Sequence, residues 1–331
     1  MTTAFLPHPW GGQVAVAVDV GGTTVKTAIA GRDGQLTRRV DLRVAGLGTP
    51  EELVAAIVDA AADTVARGRA DDLDVAAVGL AVPGLVDARA GVGLSSMLLG
   101  WTDVPFVDLV RARTGLPVGF VHDVEAGAVA EGRLGAAAGL RDWLFVALGT
   151  GLGTTFVLDG HSYRGSEGTG GELAHVVAVA DGPLCRCGKR GCLEMVASGS
   201  AVADRWRVAR RRSGLPVAEL DGGASAVAVA ARAGEPLAVQ IWSEAVEALA
   251  VVVAGYVESM NPAAVVVGGG LAESTDLLTT AFRAALAGKV MFARTPLVRS
   301  AKFGARAGLV GAALVAYDAL TVTDPGPRPH V

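Results

Sequence analysis

Cysteine is scarce in this chain: there are three in 331 residues, an odd number confined to the stretch from Cys185 to Cys192. No disulfide framework is therefore implied, and a reducing compartment is. Charge of one sign is also scarce, since 29 basic side chains stand against 33 acidic ones for a net charge of -4, with no sustained basic run. That balance argues against nucleic acid as a partner. No apolar run approaches the length of a membrane span. The opening MTTAFLPHPWGGQ lacks the basic head and apolar core of a secretory signal, so a cytoplasmic protein with no membrane partner is expected. Two common phosphate-binding signatures are missing as well. Gly188-Lys189 is followed by Arg190 and Gly288-Lys289 by Val290, so neither completes a P-loop. Gly149, Gly151 and Gly153 follow GxGxG and lead into TTFVL, whereas a dinucleotide fold wants GxGxxG between a strand and a helix.

What is present fits a soluble enzyme rich in tight turns: 51% hydrophobic residues, 19% charged residues and 45 glycines. The length suits two lobes of one α/β protein. Valine-rich runs alternate with helical patterns, as in sheets covered on both faces. The patterning predicts strands over 14–20, 24–30, 75–82, 117–121, 143–148, 154–158 and 263–267. It predicts helices over 50–67, 104–114, 124–135, 237–260, 272–287 and 307–320, followed by a Pro-rich tail expected to fray.

Two segments share a layout. AVAVDVGGTTVKTAIAG near the start and LFVALGTGLGTTFVLDG in the middle each read as strand, Gly-Thr turn, strand. The repetition suggests two related lobes, each offering a glycine loop whose N–H groups form an anion-binding nest. The alternative is that both are plain hairpin turns, where Gly and Thr are also common. A third glycine turn, in NPAAVVVGGGL, follows a strand and precedes a helix, and its Gly268, Gly269 and Gly270 can lie against a nucleotide.

From His175, nine residues intervene before Cys185, one before Cys187 and four before Cys192. That spacing suits a single tetrahedral Cys3His zinc, closed to water and therefore structural. Such a zinc orients the flanking Glu172 and Glu194. Asp19 ends an apolar strand just before the first glycine turn, where a carboxylate either holds magnesium through water or simply caps the turn. Asp123 stands at a strand-to-helix switch after PVGFV. There it is either a general base for an attacking hydroxyl or the N-cap of the following helix.

Taken together, these residues resemble the ROK group of repressors, uncharacterised frames and sugar kinases, along nearly the whole chain. The carriers are Asp19-Val20-Gly21-Gly22-Thr23, VPGLVD from Val82 to Asp87, the Asp123 segment, Gly149-Thr150-Gly151-Leu152-Gly153, Gly171-Glu172-Leu173-Ala174-His175, CRCGKRGCLE and NPAAVVVGGGL. The resemblance implies an actin-like, ribonuclease-H-like two-lobed α/β kinase fold with a structural zinc loop and a cleft between lobes. The small lobe is expected over 1–121 plus about 307–331, and the large lobe over 122–306. It also implies that Asp123 is the general base, and that Glu172, His175, Glu194, His122 and Gly84 surround the sugar. ATP and its phosphates fall to Asp19, Gly21, Gly22, Thr23, Thr24 and Lys26, to Gly149, Thr150, Gly151 and Gly153, and to Gly268, Gly269 and Gly270. The cofactors expected are ATP, Mg2+ and Zn2+, in a homodimer or homotetramer.

Two departures bear on the acceptor. Family glucokinases carry asparagine where this chain has His122, and a second asparagine where it has Met97 or Leu98. An amino sugar or a C7-cyclitol thereby joins hexose as a candidate acceptor. A transcriptional repressor is disfavoured, because 18 residues before Asp19 are too few for a three-helix DNA-binding head. A non-catalytic sugar sensor is the competing class. A catalytic zinc conflicts with four protein ligands.

Overall fold

The computed structural model describes residues 12–44, 46, 48–217, 222–273 and 275–321; the Pro-rich tail lies outside them. The chain forms two compact units, 1–130 with 306–331 and 131–305.

The first unit is built on β1 (Val14–Val20), whose seven residues are all buried. Alternation along VAVAVDV separates its faces. Val14, Val16, Val18 and Val20 pack against Leu53, Ile57, Ala61 and Val65 of helix α1 (Pro50–Ala70). Each buried valine contributes about 1.5–3 kcal/mol of transfer free energy. α1 starts with a full capping box between Thr49 and Glu52, with Pro50 in its first turn. The alanine face of β1 meets the last helix of the chain, Ala307–Ala319 (α9 in chain order).

β2 (Thr24–Ala30) and β3 (Leu36–Arg43) extend the sheet antiparallel on one side. β4 (Val75–Val82) and, after the small sheet β5–β7 (Leu85–Asp87, Val92–Ser95, Thr102–Val104) and helix α2 (Phe106–Thr114), β8 (Val118–His122) extend it parallel on the other. The order is β3-β2-β1-β4-β8. α3 (Asp123–Leu134) follows β8 directly and carries the chain from the first unit into the second. The unit boundary falls inside α3, so His122 and Asp123 belong with the first unit, where β8 pairs with β4.

The second unit repeats the plan. β9 (Trp143–Leu148), β10 (Leu152–Leu158) and β11 (His161–Tyr163) are antiparallel neighbours, and β12 (Ala264–Gly268) and β13 (Leu297–Ser300) add parallel strands, in the order β11-β10-β9-β12-β13. The short helix α4 (Glu194–Ala197), α5 (Gly199–Arg212), α6 (Gly223–Arg232), α7 (Pro236–Met260) and α8 (Thr275–Ala287) cover this sheet or each other around one core.

By length and hydropathy α7 passes for a membrane span, against the expectation that no run comes near one. Its apolarity is that of a core helix: 61% of the most apolar window is buried inside the protein, with Trp242, Leu249, Val253 and Val257 among its buried residues.

Candidate functional site

In the first unit the Gly21–Thr23 turn closes with the Gly21 N–H donating to the Thr24 carbonyl at 2.9 Å. Gly22 and Thr23 are exposed. A side chain at Gly22 would lie 2.8 Å from the Leu98 Cδ2. Of the two candidates for the second departure, Leu98 is thus the one placed against this turn, while Met97 is 75% exposed.

Asp19 and Lys26 face each other across β1 and β2, with Lys26 Nζ 3.4 Å from Asp19 Oδ2. Burial raises the Asp19 carboxyl above its ordinary range, Lys26 pulls it back, and the charge of Asp123 pushes it further up. Asp123 accepts from the Val124 N–H at 2.8 Å, and its Oδ1 lies 3.2 Å from His122 Nε2. Asp19, Lys26, His122 and Asp123 thus belong to one electrostatic group at one end of a single sheet. A buried carboxylate with one long ion pair and a second carboxylate nearby is a donor set that suits a divalent cation. Gly84, at φ +104°, leaves no room for a side chain, since one would meet the Ser95 carbonyl at 2.3 Å.

In the second unit Gly149 donates to the Gly151 carbonyl at 3.0 Å. The loop is fastened from its far side by the start of α5, where Gly199 N–H donates to Gly149 and the Ser200 N–H and hydroxyl both donate to Thr150. Gly153 lies within β10. Gly269, at φ +87°, stacks its backbone on Leu148, 2.3 Å from the carbonyl if it carried a side chain. The Gly268–Gly270 turn and the Gly149–Gly151 loop are therefore adjacent, at the ends of paired strands.

The proposed metal ligands converge. One donor atom from each of His175, Cys185, Cys187 and Cys192 lies within 4.8 Å of the others, with His175 Nδ1 3.6 Å from Cys185 Sγ and Cys187 Sγ 3.5 Å from Cys192 Sγ. A tetrahedral zinc with bonds of about 2.3 Å to sulfur needs ligand separations of about 3.8 Å, so the residues fit. Nδ1 faces the thiols, which leaves Nε2 for another partner. The Lys189 N–H holds the Cys187 thiol below its usual range, whereas burial, with the other two thiols, pushes Cys192 up to about 12. A bound cation offsets that penalty by taking the thiolate form.

The loop is a compact hairpin with bridges between Val177 and Cys192 and between Leu184 and Arg190. Gly191, at φ +74°, admits no side chain beside the Val179 carbonyl. Its pairing joins the Glu172–His175 turn to Glu194, since Leu193 N–H donates to the Val176 carbonyl at 2.9 Å. The Glu194 carboxylate in turn sits 3.1 Å from the point where a side chain on Gly151 would begin.

Sequence reasoning passed over Thr154. It is buried, and its hydroxyl donates to the Gly171 carbonyl and accepts from the Leu173 N–H. It thereby locks the Glu172 turn onto β10. Its polarity at a buried strand position was the available signal.

A model of the ROK family matches residues 15–319. The chain is 33% identical to a glucokinase of Thermotoga maritima, over 91% of this chain and 96% of that one. It is 32% identical to an N-acetylmannosamine kinase of Escherichia fergusonii, over 92% and 98% respectively. Among solved structures, a ROK family glucokinase from Streptomyces griseus in complex with glucose and AMPPNP superimposes with a TM-score of 0.80 at 31% identity, covering 92% of this chain and 99% of that one.

Proposed function

The chain belongs to the ROK family, and from that premise we propose that it is an ATP-dependent sugar kinase acting on a primary hydroxyl of a hexose or hexose-like polyol. The observation that carries this reading is the placement of Asp19 and Asp123 at the same end of one sheet, with Asp19 beside Lys26 and the Gly21–Thr24 turn. In it, Asp123 accepts the proton of the sugar hydroxyl as that oxygen bonds to the γ-phosphorus of ATP, and the bond to the leaving ADP oxygen breaks. Asp19 is the residue that would hold magnesium, which supplies neutralisation of phosphate charge when bound.

The N–H groups of Gly22 and Thr23, the Thr24 hydroxyl and Lys26 serve phosphate oxygens in the first unit, beside Gly21, whose own N–H closes the turn. Thr150, Gly151 and Gly153 do so in the second, beside Gly149, whose own N–H closes the loop on Gly151, with Gly268–Gly270 against the nucleoside. Glu172, His175 and Glu194 are the sugar contacts of the second unit, held by zinc; His122 and Gly84 are those of the first. His175 Nε2 is free to donate to a sugar oxygen while Nδ1 faces the metal. Homo-oligomeric assembly and a cytoplasmic location belong to the same reading.

The acceptor is the finer question. Leu98 beside Gly22 and His122 on Asp123 are the features that admit an amino sugar or a cyclitol as the alternative to a hexose. A site lacking amide donors discriminates less for a sugar hydroxyl. An ADP-release screen over glucose, mannose, N-acetylated hexosamines and C7-cyclitols ranks the candidates. Asp123→Asn is expected to lower kcat by about 10²–10⁴-fold with zinc content and Tm unchanged. Retained turnover removes Asp123 from the base role, and sugar binding without any ADP release favours a sensor.

A further inference from the structure

Gly308, in the first turn of α9, has no role in the sequence signature of the site, yet it touches the site's most buried carboxylate. A side chain begun at Gly308 would lie 2.7 Å from Asp19 Cγ, 2.7 Å from Oδ1 and 2.8 Å from Oδ2. Real side-chain contacts do not come this close, so one of the two groups must move. Asp19 has little freedom to give. Its strand is buried along its whole length, Val18 and Val20 are wedged into the core on the opposite face, and the carboxylate itself is enclosed.

Moving α9 outward would break the close packing that seats it. Gly311 passes the Ala126 carbonyl with 1.7 Å to where its side chain would begin, and the same measure from Gly79 and Gly119 to the α9 carbonyls of Ala312 and Val315 is 1.8 Å and 2.2 Å. The helix is thus seated on β4, β8 and the start of α3 at backbone contact distance. The softest coordinate left is rotation of the Asp19 side chain about its own bonds, which disturbs its 3.4 Å contact with Lys26.

We infer that Gly308 is a positioning residue for phosphoryl transfer: its missing side chain is what allows the Asp19 carboxylate to lie against the first turn of α9, directed along the end of β1 that carries the Gly21–Thr24 turn. The inference rests on the kinase reading above, because it gives Asp19 its role. Two contacts define the position of that carboxylate, namely Lys26 at 3.4 Å and the bare backbone of Gly308. Of these, Gly308 supplies the steric wall. A displacement of about 1 Å at such a group costs on the order of 10²-fold in rate.

The test is a double-mutant cycle between positions 19 and 308, read in kcat, in the affinity for magnesium-ATP by calorimetry, and in Tm. Gly308→Ala alone is expected to lower kcat about 10²-fold, with the sugar KM changed less than about 3-fold, and to weaken magnesium-ATP binding about tenfold. In the Asp19→Ala background, where the carboxylate is gone and the new methyl group has room, Gly308→Ala is expected to change none of the three readouts. A purely structural role in seating α9 predicts the opposite, an equal Tm loss in both backgrounds, and that result overturns the inference. So does wild-type kcat in Gly308→Ala. If the wild-type protein transfers phosphate to no sugar, the kinase reading fails by itself; the inference is then decided by magnesium-ATP affinity, where equal effects of Gly308→Ala with and without the Asp19 carboxylate overturn it.

Discussion

At the scale of single residues, Asp19 is a carboxylate whose burial costs stability. Its carboxylate is buried, with one ion pair at 3.4 Å and a like charge nearby, and its pKa lies above the ordinary value of 3.8. The folded chain therefore keeps a proton that the unfolded chain has already lost. Between the ordinary value and the raised one, stability falls as pH rises, and above the raised value the whole penalty is present. Without nucleotide or magnesium, Asp19→Asn is expected to stabilise the first unit near pH 7 on the order of 1 kcal/mol, or ~2–4 °C in Tm. The gain should fade as pH falls from the raised value to below 3.8, where the wild-type carboxyl becomes protonated in both states. Thermal melts across that range decide the matter, since a gain independent of pH assigns the effect to something other than ionisation. Asp19 was legible in the sequence as the residue that ends an apolar strand before a glycine turn. Gly308 was not, because nothing in AGLVGAALVAYDA shows which glycine meets a carboxylate from a strand far away in the chain.

At the scale of elements, what was legible is what carries a strong period. β1, β2, β4 and β9 begin and end where the valine-rich patterning puts them. Edge strands were missed. β3, LTRRVDLR, is charged and largely exposed, and β11 and β13 are short, as is usual where a sheet must avoid further pairing. α5 was missed because its start, Gly199-Ser200, reads as a loop; those residues are instead fastened to Thr150 and Gly149. α1 runs past Gly68, expected to end it, and the reason is packing: a side chain there would strike Val75 at 2.7 Å. Glycine in this protein marks close approach as often as it marks termination. The same rule governs α9. Gly311→Ala is expected to destabilise the first unit by about 1–3 kcal/mol, since its methyl group would fall on the Ala126 carbonyl. Urea titration monitored by circular dichroism measures it, and a midpoint equal to wild type contradicts the seating of α9 described above.

At the scale of the whole molecule, the sequence echo between the two glycine turns corresponds to a full repetition of topology, with three antiparallel strands and two parallel ones in the same order in each unit. Each unit has its own core: one is formed by β1, its neighbouring strands, α1 and α9, and the other by β9, β12 and helices α4–α8. The features that raise or lower their stability are also separate. The Cys3His cluster lies wholly in the second unit, and the Asp19 penalty lies wholly in the first. Such a chain need not unfold in one step. Differential scanning calorimetry of the zinc-loaded protein is expected to resolve two transitions. Removing zinc with a chelator should lower one of them by several degrees, on the order of 5 °C, and leave the other in place. Asp19→Asn should raise the transition that the chelator leaves alone. If both perturbations instead move a single transition, the two cores unfold as one cooperative body, and the expectation of separate stabilities is wrong.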